Sequence, residues 1–260
     1  MDGFDRLGSV FSARIDEVLG NLRVRQSHSF FVRHQAELFA LDRIPAYLKT
    51  DLMRAVNIQG APETVAYRGL VLQLYGAFER FVTEIAEATL NAVQAKASRY
   101  SELHEGLRNA HTVGSARLLS KLHDRNINGV PFNFANLQLN MAACFSDDEK
   151  YRLGADAFTA LLGVCTSERI DSVFEAMRIG KAFDDDLGKD PSIKSWAKNA
   201  GAREAFKLAR DNLNELVRLR NQIAHGLADP NVLDTEVEEA AALLSALGKA
   251  LIAKARSKTT

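Results

Sequence analysis

The sequence predicts an all-α protein, on three observations. Apolar residues recur at i, i+3, i+4 and i+7 along most of the chain, the period of a helix buried on one face. No run of alternating apolar and polar residues is long enough for a real sheet. With 47% hydrophobic residues in 260, the chain can fill a sizeable core, as one large domain or one domain with an insertion.

The elements follow in order. Residues 3–25 carry Phe4, Leu7, Phe11, Ile15, Val18 and Leu22 at helical spacing. A second helical segment, 29–41, adds Phe30, Phe31, Leu38, Phe39 and Leu41 before Pro45 breaks the pattern. Together they read as an N-terminal helical arm within residues 1–60 that covers the core, with partner binding as the sharper alternative. A short helical piece is expected around 49–57, and Gly60-Ala61-Pro62 marks the boundary to the main helical domain, 61–260. Pro62 suits the start of a long helix over 63–98. Leu70, Val71, Leu74, Tyr75, Phe78, Phe81, Val82 and Ile85 give that helix a wide apolar arc, so it is the central core helix. Glu79 sits at the edge of the arc, one turn after Tyr75. It is either a boundary carboxylate paired with an Arg or a tyrosine hydroxyl, or the group that holds a catalytic Arg in place.

Residues 101–122 read as a further helix, with Leu103, Leu107, Val113, Leu118, Leu119 and Leu122. The texture then becomes rich in Asn, Gly and Asp, and 124–199 reads as a loop-rich insertion between two halves of a bundle. Within it, short helices are expected at 134–141 and 168–179, the latter capped by Thr166 or Ser167. Asp184-Asp185-Asp186 to Ser192 reads as a polar connection. An amphipathic helix over 203–226 ends at Gly226, and Asp229-Pro230 makes a turn. Asp234 caps the last helix, which carries Val237, Ala240, Leu243, Leu244, Leu247 and Leu251, and the polar tail Ser257-Lys258-Thr259-Thr260 is expected to fray.

Composition narrows the function. Lys+Arg and Asp+Glu both number 33, so the net charge is zero and a broad duplex-coating basic surface is excluded. A local basic patch would have to be built by the fold or by oligomerisation. Cys144 and Cys165 are the only cysteines, with no CxxC and no His beside them, which argues against a disulfide framework or a structural zinc. The charged, amphipathic N-terminus is no signal peptide, and no apolar stretch approaches a membrane span. These features together predict a cytoplasmic protein without metal or cofactor.

The 203–226 helix holds the chemistry. Phe206, Ala209, Leu213, Leu216, Val217, Ile223 and Ala224 fall on one face, and Arg220 falls among them. Asn214, Arg218, Asn221 and His225 form a polar stripe beside that face. Arg followed by His after four intervening residues is weak evidence, because Arg23…His28 and Arg99…His104 repeat it and Arg117…His123 nearly does. Only at Arg220…His225 does the Arg intrude on an apolar face, and only there does an Asn lie one turn from the His. A His moves protons near neutral pH. An Arg matches phosphate oxygens. RNA brings its own nucleophile, the 2′-hydroxyl, so such a pair suits RNA cleavage without a metal, with two copies across a two-fold axis supplying acid and base. The structural alternative is that His225 merely caps the helix and Arg220 pairs with Glu79 or Glu215.

At Arg220-Asn221-Gln222-Ile223-Ala224-His225-Gly226 the chain resembles the HEPN superfamily, whose hallmark is Arg, often followed by Asn, then His four to six residues on at a helix end. The stretch Tyr67-Arg68-Gly69 through Leu74-Tyr75-Gly76-Ala77-Phe78-Glu79-Arg80-Phe81-Val82 is similar to the first core helix of large bacterial HEPN-like nucleases. The resemblance spans about 63–255. It implies a HEPN-like helical bundle, a homodimer with the motif at its interface, and metal-independent endoribonuclease activity leaving 2′,3′-cyclic phosphate ends. Arg220 and His225 would be catalytic, Asn221 supporting, and Arg218 and Glu79 lesser candidates. It further implies a toxin or antiviral-defence effector restrained by an antitoxin or sensor protein. The alternative it leaves open is a non-catalytic dimerisation or binding module for RNA or protein.

Overall fold

The computed structural model describes residues 3–39, 45, 50, 63–124, 126, 127, 130–159, 164–198, 200–226 and 230–259. The chain is all-α. Its frame is three long helices, α1 (Gly3–Phe39), α2 (Glu63–Gln94) and α10 (Asp234–Thr259), packed side by side. α9 (Ala202–His225) lies against α2 and α10. Smaller helices close the remaining sides: α3 (Glu105–Leu119), α4 (Phe134–Phe145), α5 (Asp156–Thr159), α6 (Ser167–Ala176), α7 (Asp185–Lys189) and α8 (Pro191–Trp196). Asn126–Ile127 and Val130–Pro131 form a two-residue antiparallel pair.

α2 is the centre, as its wide apolar arc requires. Val71, Leu74, Tyr75, Phe78, Phe81, Val82 and Ile85 are all fully buried. α1 presents Phe4, Leu7, Phe11, Ile15, Val18 and Leu22 to the same core. Phe11 stacks on Phe81 at 4.2 Å between ring centroids, and at Gly248 of α10 a Cβ would strike the Phe11 ring. Arg14 of α1 grips Glu84 of α2 through two 3.0 Å bonds.

Several elements differ from the sequence reading, each for a local reason. Residues 3–25 and 29–41 are not two helices: α1 runs unbroken from Gly3 to Phe39. The polar run that suggested a junction, around Arg23 to Gln26, contains no helix breaker and is carried on the outer surface of α1. The expected helix at 49–57 and the boundary at 60–62 lie outside the described residues. Tyr100–Glu102 is a single 3-10 turn, and α3 begins only at Glu105, where the His104 ring accepts a bond from the Gly106 N–H at 3.0 Å. The polar connection at 184–192 is two short helices, because Asp184 and Asp190 each cap one. Lys254 also bonds Asp184 at 2.6 Å and ties α10 to this corner. The 257–259 tail is helical rather than frayed: the Thr259 hydroxyl donates to the Ala255 carbonyl, and Thr259 is buried.

The 124–199 segment shares the core. Tyr151, Ile170, Phe174, Met177, Phe183, Leu187 and Ile193 join the same buried cluster as α2. Two close approaches fix it. A Cβ on Gly114 would fall on the Ala157 carbonyl, and one on Gly188 would fall on the Ala202 carbonyl. The second of these seats the first turn of α9 directly against α7. Among the described residues no helix is long and apolar enough to cross a membrane.

Candidate active site

α9 is helical because its apolar residues repeat every three or four positions. Ala205, Ala209, Leu213, Leu216 and Val217 are buried, while Phe206 and Ile223 are half-buried and Ala224, read as part of that face, is exposed. Gly226 stops the helix. It adopts the left-handed conformation at φ 60°, which favours glycine, and its N–H returns to the Ile223 carbonyl at 3.4 Å.

Arg220 sits on the buried face, where its stem packs and its head needs a partner. Its guanidinium carbon lies 5.5 Å from the centre of the Tyr75 ring. Its Nη1 donates to Asn221 Oδ1 at 3.1 Å. The suggested pairing with Glu215 does not form: Glu215 accepts from Arg218 Nε at 2.8 Å, on the surface. Nor, among the described residues, does an ion pair join Arg220 to Glu79. Glu79 bears on Arg220 through its field. Burial raises the Glu79 carboxyl above the ordinary range, and the Arg220 charge and the Tyr75 hydroxyl pull it part of the way back.

Tyr75 links these groups. Its hydroxyl oxygen accepts the backbone N–H of Cys165 at 2.7 Å. The same hydroxyl also favours the charged form of Glu79. Cys165 itself is buried, and burial pushes its thiol up to about 12, which keeps it protonated and inert.

His225 is the last residue of α9 and is exposed. Among the described residues it meets no hydrogen-bond partner. It follows Arg220 by five residues, about 140° around the helix axis. One chain therefore brings together Arg220, Asn221, Tyr75 and Glu79, and presents His225 separately. Asn214, which leads the polar stripe, is engaged elsewhere: its Oδ1 accepts from the Ser167 N–H and its Nδ2 donates to the Ser167 hydroxyl, at 3.1 and 2.9 Å. It fixes α9 to the first turn of α6.

Two supports escaped the sequence reading. The sequence places Tyr75 in the core arc, with a tyrosine hydroxyl among the partners open to Glu79, but gives no sign that it seats Arg220, and Ser167 reads only as a cap. The signal for Tyr75 was its hydroxyl, which in the middle of an apolar arc must find a partner. The competing Arg…His spacings prove structural or remote. His104 caps α3, and Arg23 and His28 lie within the continuous α1. Among the described residues no group of three or more His, Cys, Asp or Glu is arranged to hold a metal.

A family model described as RiboL-PSP-HEPN matches residues 46–254. No curated protein and no solved structure matches the chain.

Proposed function

The chain belongs to the RiboL-PSP-HEPN family, one of the HEPN families with nuclease and RNA-binding roles in general, and from that footing we propose that it is a metal-independent endoribonuclease. The observation that carries the reading is the pairing of a braced cation with an exposed imidazole on one helix end: Arg220 held by Tyr75 and Asn221, and His225 open to solvent one turn beyond Asn221. In this reading the RNA 2′-oxygen attacks the adjacent phosphorus as a base takes its proton. The bond from phosphorus to the 5′-oxygen breaks, and an acid protonates that oxygen. The products carry a 2′,3′-cyclic phosphate and a 5′-hydroxyl. Arg220 meets the charge that builds on the phosphoryl oxygens. Because one chain supplies one such His, a homodimer completes the acid–base pair, with Asn221 setting the imidazole of His225 or touching the phosphate. Arg218 and Glu79 support charge and position. The biological role we assign is that of a cytoplasmic toxin or antiviral-defence effector, restrained by an antitoxin or sensor protein.

A second reading has its own support. Arg220 is half-buried and faces away from His225, as a purely structural Arg would. On that reading the chain is a non-catalytic dimerisation or binding module for RNA or protein.

The test is cleavage of total RNA in EDTA by the wild-type protein and by His225→Ala, with mapping of the product ends. Loss of cleavage in the variant and cyclic phosphate ends in the wild type are expected. Equal cleavage by both proteins removes His225 from the mechanism. No cleavage by the pure wild-type dimer favours the binding module.

A further inference from the structure

The seam between α1 and α2 opens at one end into a trough of about 900 Å³. The pairs Arg14–Glu84 and Arg33–Glu63 show that the two helices run antiparallel. The trough spans Gly3 to Arg14 on α1 and Arg80 to Ala92 on α2, at the end of the seam away from the α1–α2 connection. The end of α10 borders it through Arg256 and Thr259. Eleven steps along α1, at about 1.5 Å each, make it about 16 Å long, the length of three helical turns. Its floor is apolar: Phe4 and Leu7 are buried, Ala88 and Ala92 are half-buried, and Val10 is 37% exposed.

Its rim is cationic. Four arginines line it, Arg6, Arg14, Arg80 and Arg256, against two acids, Glu84 and Glu87. Glu84 is already engaged: it accepts two bonds from Arg14 at 3.0 Å and one from Arg80 Nε at 2.8 Å. Burial would raise its carboxyl, but the bonds from Arg14 and Arg80 outweigh burial and hold it below the ordinary range. Two cations therefore share one carboxylate, and among the described residues the Nη edge of Arg80 makes no bond. Arg6 is exposed and meets no partner among the described residues. Arg256 bonds Asp5, which does not line the trough, and lies 5.9 Å over the centre of the Phe4 ring.

An apolar floor beneath a surplus of arginine selects its occupant. A nucleic-acid strand needs an open aromatic face on which to stack its bases, and the one ring in the trough, Phe4, is covered by Arg256. A second copy of this face would bring four more arginines against two acids. A small ligand would stay half in water, because the trough is open along its length. An amphipathic helix meets every condition: one face lies between α1 and α2, the other stays in water, and carboxylates on its edges reach the rim. We infer that the trough docks a three-turn amphipathic helix of a partner protein, apolar on one face and edged with Asp or Glu. Arg6 and Arg80 take its carboxylates, and Leu7, Val10 and Ala88 take its apolar face. This docking surface is independent of the ribonuclease reading.

The experiment uses the full chain and two fluorescent peptides of about 15 residues, enough for three turns and their ends. Both carry Leu at i, i+3, i+4 and i+7, and one has Glu on the flanks where the other has Lys. Binding is followed by anisotropy. The Glu peptide should bind, and the Lys peptide should bind about tenfold more weakly or not at all. Arg6→Gln with Arg80→Gln should weaken the Glu peptide about tenfold, and Val10→Gln should weaken it about fivefold. All three positions are exposed, and circular dichroism checks that each variant is folded. A control with the same change of charge on α9, Arg203→Gln with Lys207→Gln, should bind as the wild type does. No binding of the Glu peptide, equal binding of the two peptides, an equal loss in the control, or full binding by Val10→Gln overturns the docking surface. Displacement of the Glu peptide by a single-stranded RNA also overturns it and assigns the trough to nucleic acid.

Discussion

The guanidinium of Arg220 lies over the ring of Tyr75, 5.5 Å from its centre, and the hydroxyl of the same ring accepts the N–H of Cys165 at 2.7 Å. A cation on an aromatic face is worth roughly 0.5–2 kcal/mol, more as water is excluded. The ring thus positions the charge from below, while its hydroxyl holds the ring in register with the 164–167 turn. Every expectation for the site depends on this arrangement.

Tyr75→Phe and Tyr75→Leu separate the two roles. The Phe variant keeps the face beneath Arg220 but leaves a buried N–H without an acceptor. It should lose about 1–3 kcal/mol in urea unfolding and retain cleavage. The Leu variant loses the ring as well, and its cleavage should collapse. Equal cleavage by the two variants would show that the ring does not position Arg220.

His225 and Arg220 should separate chemistry from stability. His225 is exposed, so His225→Ala should shift stability by no more than about 0.5 kcal/mol while abolishing cleavage. Arg220→Met keeps the apolar stem and removes the charge. Its stability should stay within about 1 kcal/mol of the wild type, and its cleavage should be lost. A large loss of stability in Arg220→Met would make that residue a structural brace.

His111 makes the fold sensitive to acid. It is fully buried in α3, its Nδ1 lies 3.1 Å from the Tyr100 hydroxyl, and burial lowers its pKa to about 4. An unfolded His titrates near about 6.5. Between these values the unfolded chain binds a proton that the fold rejects. Stability should therefore fall as the pH drops from about 6.5 towards 4 and level off below, by about 3 kcal/mol in all for this group. Urea midpoints at several pH values check this, with His111→Gln as the reference. The same pH dependence in both proteins would remove His111 as the source.

The glycines divide by what surrounds them. Gly188→Ala drives a methyl group into the Ala202 carbonyl and should cost about 3 kcal/mol or more, loosening the first turn of α9. Gly76 is exposed on α2 with nothing near its Cβ position. Gly76→Ala should therefore stabilise the protein by about 0.5–1 kcal/mol. Denaturant titration of both variants decides, and a neutral Gly188→Ala would mean that α7 and α9 can move apart freely.

Much of this was legible in the sequence because it is local. The period of α9, the intrusion of Arg220 on its apolar face and the stop at Gly226 all lie within one helix. So does the core arc of α2. What lay hidden was long-range. Nothing near Tyr75 in sequence says that its hydroxyl will meet residue 165 and its face residue 220. The 124–199 segment looked like loops because its helices are short and capped by Asp, Asn and Thr, residues that also mark turns. Its core contribution is carried by scattered residues such as Phe174 and Ile193, which show no long period. The break expected within α1 has the opposite cause: the stretch around Arg23 to Gln26 is polar because the unbroken helix turns that side to water.

The contact between Gly188 and Ala202, and the seat that Tyr75 gives Arg220, also tie the site to the whole fold. The seat is assembled from α2, the 164–167 turn and α7, which are far apart along the chain, and α10 covers α2 from the other side. All of them share one core, and a domain folds as a unit. The charge and its seat therefore form together or not at all, and whatever opens the core also disarms the site.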